Sequence, residues 1–368
     1  MKQRLAILGL ALLSACGGSG ESSGIIRGVN PWADTSSAIL AAQPQFPGGL
    51  AVEVMTPAGV VFSQSFGGFT PATYTAVASA SKMVSATVLL RLVEQGTLSL
   101  DTRTKDRLTD RSGLPWSGNM GEIRLRDLLS FTSGISGDVA NSEDSAITLD
   151  EAVKRVYDDQ KATASTPGSY FYYGSTHLRI AARMAELATG KPWRQLFDEQ
   201  LRTPLGWGAL STYGGGTNPN PAGSLACTGL EYTRFVMLQL RQGLDGTTRL
   251  LAAATLQQQR QDAFGAGTII IYSPYRAVQG KDYHYGFGNW LETAGGGAPS
   301  LTDPVIRFSS TGTFGWAPWV AADGAYGAVI MTQQAQGTTV PSENLKAQLD
   351  PLIRAVLAQN PAILRSVP

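Results

Sequence analysis

The chain has 368 residues, enough for a deep hydrophobic core in one large domain or about two smaller ones. Only 15% of its residues are charged, against roughly 25% in a typical soluble domain, and the formal net charge of +1 offers no field to gather nucleic acid. Two cysteines and two histidines, with no Cys/His cluster, speak against a zinc site, and no other metal or organic cofactor is implied.

The first elements are not part of a fold. Lys2 and Arg4 precede the apolar run Leu5 to Leu13, which is too short for a membrane span of roughly 20 residues and fits a secretory signal peptide over residues 1–15. Its end, Leu13-Ser14-Ala15-Cys16, looks like a bacterial lipobox, whose cysteine becomes the acylated N-terminus. Residues 16–30, which continue after Cys16 as GGSGESSG, read as a flexible tether. The expected address is therefore the bacterial cell envelope, held to a membrane by lipid on Cys16, on the periplasmic face if there are two membranes. Cys227 is then the one cysteine left, in an apolar setting that suits a buried bystander.

A helix is expected over 34–43, then two strands over 49–55 and 58–66 around the turn Pro57-Ala58-Gly59. An apolar helix over 82–96 closes at Gly96. Shorter helices are expected at 122–130, 149–159, 175–189, 192–201 and 228–242. Strand signals return at 266–273, 284–291, 305–310, 316–322 and 325–332, before a last helix at 342–358. Strands at both ends with helices between predict an α/β (α+β) fold. In it a single catalytic domain over 31–360 has an α/β lobe from 31–78 and 263–360, and an inserted helical lobe over about 79–262. A cleft between lobes is the natural place for a site.

Ser79-Ala80-Ser81-Lys82 lies where the loop after the hairpin enters the apolar helix. Three residues is just under one helical turn, so Ser79 and Lys82 share a face. A serine hydroxyl needs a nearby base, and a lysine can be one only if burial or another cation pulls its pKa down from about 10.4. By itself the motif also suits a helix N-cap and a solvated lysine.

Two further stretches give it context: PGSYFYYGSTHL at 167–178 and FSSTGTFGW at 308–316. Their order after Ser-x-x-Lys resembles the serine β-lactamase-like superfamily of class C β-lactamases, DD-peptidases and related esterases. VEQGTLSLD (93–101), LRDLLSFTSGI (125–135), TGKPWRQLFDEQLRTPLGW (189–207) and YGFGNW (285–290) are similar to other segments of that family. The resemblance implies a β-lactamase/transpeptidase-like fold, with a largely antiparallel sheet flanked by helices.

Carried over residue by residue, it implies Ser79 as nucleophile, Lys82 as its partner and Tyr173 as a proton relay, with Tyr172 as the rival in register. Ser175 follows the tyrosine, Ser310-Thr311-Gly312 is the triplet on a strand, and the amides of Ser79 and Thr313 form the oxyanion hole. Two departures stand out. Ser175 replaces an asparagine, and Ser310 replaces a lysine or histidine that would meet a substrate carboxylate. Arg307, three residues from Ser310, alternates to the opposite face. Phe131 replaces a histidine, His177 and His284 read as structural, and Trp316 is a candidate pocket wall.

The expected chemistry is acyl transfer to Ser79 followed by hydrolysis. The leading substrates are esters or small amides. A DD-peptidase or β-lactamase acting on cell-wall peptides or β-lactams is the alternative. A non-catalytic envelope-binding relative is the reading from another class.

Overall fold

A computed structural model describes residues 30–364. The expected signal peptide, Cys16 and all of the tether but Asn30 lie outside the described residues.

Both ends of the described chain build one seven-stranded sheet. Its strands are β1 Leu50–Thr56, β2 Gly59–Phe66, β3 His284–Tyr285, β4 Trp290–Thr293, β5 Val305–Ser309, β6 Ala317–Ala321 and β7 Gly327–Met331. They run in the order β3-β4-β5-β6-β7-β1-β2, each antiparallel to its neighbours. The N-terminal hairpin joins the C-terminal strands through β1, which pairs with β7 from Ala51↔Met331 to Met55↔Gly327.

Alternation along these strands feeds two cores. Val52, Val54, Ala328 and Ile330 face helices α1 (Ala33–Ala42) and α5 (Val340–Gln359), which supply Ile39, Leu345, Leu349 and Ile353. Ala51, Met55, Val329 and Met331 face the other way, into a larger core. That core is shared with α2 (Ser81–Glu94), α3 (Thr176–Thr189) and α4 (Gly229–Leu240). Helix α2 is buried along almost its whole length, with Val84, Val88, Leu89 and Leu90 fully covered. It ends where Gly96 takes a positive φ of 74°.

Three expectations need correction. The strand expected at 284–291 is two strands, β3 and β4, because Gly288 turns at φ 76° and carries the chain tight against the Lys82 carbonyl. The strand expected at 266–273 is not in the main sheet: Ile269–Tyr272 pairs in parallel with Tyr170–Tyr172. The stretch 79–262, mostly helical, also carries Thr212–Tyr213 and Leu225–Thr228, which form a small sheet with Tyr74–Ala76.

Candidate active site

Ser79 sits in the single tight turn Ala78–Ala80 that leads into α2. The residue before it, Ala78, has φ 47°, a left-handed conformation that costs energy for any residue with a Cβ. This turn is clamped from the triplet. The Ser310 hydroxyl donates to the Ser79 carbonyl at 2.9 Å, and at Gly312 any Cβ would run into the Val77 carbonyl. Ser310 is 1% exposed, holds the backbone of Ser79 and is not among the residues lining the Ser79 cavity. The reason is register. β5 ends at Ser309, and the next residue is turned onto the α2 entry.

Lys82 is 3% exposed, and its Nζ lies 2.9 Å from Ser79 Oγ and 2.9 Å from the Ala222 carbonyl. Burial pulls its pKa down to about 7, although the carboxylates of Asp138 and Glu143 act in the opposite direction. At neutral pH a large fraction of Lys82 is a neutral amine beside a hydroxyl, which is what a general base needs.

Tyr173, and not Tyr172, joins this pair. Its ring lies under Lys82 Nζ at 4.6 Å from the centroid, and it lines one cavity with Ser79. Stacking on Trp290 (4.9 Å) and edge contact with Phe131 (5.6 Å) fix the ring. Burial pushes its phenol well above the usual value of 10, so it is a proton donor at neutral pH. The Tyr172 ring packs on Tyr272 instead, 5.3 Å away.

The turn after Tyr173 is held by Asp138, a residue not singled out in the sequence. Its Oδ1 accepts from the amides of Ser175 (2.7 Å) and Thr176 (3.0 Å) and from the Thr176 hydroxyl (3.0 Å), closing the start of α3. Thr311 and Thr313 line the Ser79 cavity, of about 270 Å³. Among the described residues the amides of Ser79 and Thr313 have no hydrogen-bond acceptor, so both can receive a developing negative charge.

Behind the triplet lies a group that sequence reasoning missed. The Thr311 hydroxyl donates to Glu343 at 2.5 Å. Glu343 pairs with Lys346 at 2.8 Å, and Lys346 pairs with Glu292 at 2.5 Å. Glu292 also binds Arg307 at 2.6 Å, and Arg307 reaches Asp350 at 3.2 Å. Arg307 is taken up by this network and does not line the Ser79 cavity. The only signal in the sequence was the i, i+3 spacing of Glu343 and Lys346 on the expected last helix.

The remaining candidates are structural. His177 is buried and neutral, its pKa lowered to about 4 by burial; Nε2–H donates to the Tyr172 carbonyl and Nδ1 accepts from Ser133, both at 2.9 Å. His284 bonds Asp262 at 2.6 Å. Trp316 is fully buried against Tyr232, and Trp290 provides the pocket wall in its place. Cys227 is buried, with its thiol pushed up by burial. A larger cavity of about 360 Å³, lined by Arg124, Asp127, Gln258 and Asp262 among others, contains none of the expected site residues.

The chain is similar to known proteins. The Beta-lactamase family model matches residues 38–351. Penicillin-binding protein 4 of Amycolatopsis lactamdurans is 30% identical over 221 residues, 51% of this chain and 56% of that protein. Monacolin J acid methylbutanoyltransferase of Aspergillus terreus (strain NIH 2624 / FGSC A1156) is 30% identical over 156 residues, 35% of this chain and 36% of that one. The chain thus spans about half or less of the length of these curated relatives. Among solved structures, a putative beta-lactamase from Bacteroides dorei DSM 17855 superposes with a TM-score of 0.74 at 28% identity, covering 88% of this chain and 99% of that one.

Proposed function

The chain belongs to the beta-lactamase family, and from that premise we propose that it is a serine hydrolase that forms an acyl-enzyme on Ser79 and prefers uncharged esters or small amides. The neutral amine of Lys82 takes the proton as Ser79 Oγ attacks the acyl carbon. The amides of Ser79 and Thr313 hold the oxyanion. Tyr173 O–H delivers a proton to the departing alkoxide or amine and is reprotonated through Lys82. Water, deprotonated by the same pair, then cleaves the acyl-enzyme and frees the acid. The observation that carries this reading is the buried Lys82 amine, 2.9 Å from Ser79 Oγ with a pKa about 7.

The preference for neutral substrates rests on charge. No lysine or arginine is among the described residues lining the cavity, Lys82 lying behind Ser79 at 2.9 Å from its Oγ, and the one carboxyl group in the lining is Glu343. Lys346 and Arg307 are each engaged by carboxylates. A substrate carboxylate would be desolvated without a partner. The cell-wall or β-lactam reading is supported by the family match and by the likeness to a penicillin-binding protein and to a putative beta-lactamase. A binding-only relative would have no use for a buried, deprotonated lysine beside a serine.

Labelling with a fluorophosphonate and with a fluorescent penicillin, on wild type and Ser79→Ala, tests the assignment. Wild type should take the fluorophosphonate strongly and the penicillin weakly, and the variant should take neither and lose turnover by about 10⁴-fold or more. Equal labelling of both proteins would overturn it. The proposed address is the cell envelope, through lipid on Cys16; Cys16→Ala should move the protein from the detergent to the aqueous phase, and equal partition of the two would refute the anchor.

A further inference from the structure

The walls of the Ser79 cavity are chemically uneven. Among the lining residues, Thr311, Thr313 and Glu343 have side-chain oxygens already engaged within the protein. The rest of the lining is richer in apolar surface, from the rings of Trp290, Tyr275 and Tyr272 with Pro274 and Val278, although Gln279 and Thr339 also contribute and the Tyr275 hydroxyl is turned to Glu292 and Lys346. Trp290 and Tyr275 are buried and pack edge to face at 4.9 Å, which makes the inner wall rigid. Tyr272 and Val278 line the cavity yet are exposed, 41% and 59%, so the apolar wall reaches the surface there. Ile269 and Ile271 are exposed on the same short strand as Tyr272 but do not line the cavity.

Exposed apolar side chains scattered singly need no explanation, but a contiguous set at the mouth of a reactive cavity does. Leaving Tyr272 and Val278 in water at the cavity mouth is unfavourable unless something apolar covers them during function. The cavity volume of about 270 Å³ equals roughly nine water volumes at ~30 Å³ each, enough for the body of a short to medium chain.

We propose that this wall, from Trp290 to Val278, is the acyl-binding site, and that it selects esters whose acyl part is an uncharged aliphatic chain of about four to eight carbons. The proposal rests on the Ser79 acyl-enzyme reading and names its substrate class. The carbonyl sits at Ser79, the first carbons lie on Trp290 and Tyr275, and the chain end leaves over Tyr272 and Val278. A charged group at the chain end would have to lie on that apolar lip, where no cation of the cavity lining meets it.

The test is kcat/KM for p-nitrophenyl acetate, butyrate, hexanoate and octanoate, and for the p-nitrophenyl half-ester of adipic acid. The proteins are wild type, Val278→Leu, Val278→Asp and Ser79→Ala. Each added methylene should raise kcat/KM about threefold until the wall is filled. Hexanoate should exceed acetate by tenfold or more, and the adipate half-ester should trail hexanoate by at least tenfold. Val278→Asp should lower the hexanoate-to-acetate ratio about tenfold, and Val278→Leu should keep it; position 278 is exposed, so neither change disturbs the core. Ser79-dependent turnover with a flat chain-length profile, or a ratio unmoved by Val278→Asp, would overturn the acyl site and leave the Ser79 reading standing. Turnover that survives Ser79→Ala throughout the series would bring down both.

Discussion

Lys82 and Tyr173 have been pushed in opposite directions by the same cause. Burial favours the neutral form of each, which makes the lysine an amine and the tyrosine a phenol at pH 7. Activity should therefore follow the loss of the Lys82 proton. We expect kcat/KM for a neutral ester to rise with pH on an acid limb with a midpoint about 7, and then to level off. A pH–rate profile with a midpoint at 5 or below would point to a different base. Stability carries the same sign: between about 7 and the free lysine value of ~10.4 the unfolded chain binds the extra proton, so this residue makes the fold more stable as pH rises through that window. Ser79, Lys82 and Tyr173 were legible because three short motifs fix their order. The contact made by Ser310 was not, because which way a residue points at a strand end depends on where the strand stops. Asp138 and Glu343 stayed invisible because each reaches its partner across the fold, from a loop and from the last helix.

At the scale of elements, α2 is the part on which the site depends, and its surroundings are held by close backbone approaches. Gly288 brings the β3–β4 turn against the Lys82 carbonyl and the Ala86 methyl, with φ 76°. Gly288→Ala meets both a disfavoured backbone angle and a steric conflict, so we expect a loss of about 2–4 kcal/mol in stability. Thermal unfolding should show a melting temperature lowered by several degrees, and kcat should fall by more than the folded fraction explains, because the helix bearing Lys82 must shift. An unchanged melting temperature would show that the turn yields freely. The long helices and the N-terminal hairpin were readable from periodicity and their closing glycines or turns. The split of β3 from β4 was missed because Tyr285, Phe287 and Trp290 read as one aromatic strand, although Gly288 and Asn289 already offered a turn inside it.

Across the whole molecule, α5 is tied to β4 and β5 through buried charges. Burial alone would raise the Glu292 carboxyl, yet Lys346 and Arg307 beside it hold it at about 2. Its contribution to stability is therefore complete above its ordinary value of 4.5 and is lost as pH falls towards about 2. Lys346→Met leaves Glu343 without its cation and Glu292 with half of its own, and should cost about 3–5 kcal/mol in denaturant unfolding. Adding Glu343→Gln should recover part of that loss, and a strictly additive double variant would contradict the coupling. The composition excluded metal and nucleic-acid roles as expectations, and strand signals at both ends pointed to a shared sheet. The pairing of β1 with β7 was beyond the sequence, since alternation tells which face a strand buries and not which neighbour it chooses.

That pairing has a consequence for how the protein comes into being. Val52 has its neighbour on one side in Gln64, a few residues on, but on the other in Ile330. On a ribosome adding ~5–20 residues per second, the second neighbour follows the first strand by roughly fifteen seconds to a minute. Through that interval the hairpin has one open edge and no covering core, so the nascent chain cannot close its sheet. Contacts this distant in sequence also slow the final closure after release. The last strand of the sheet to emerge is thus the one that locks the first in place.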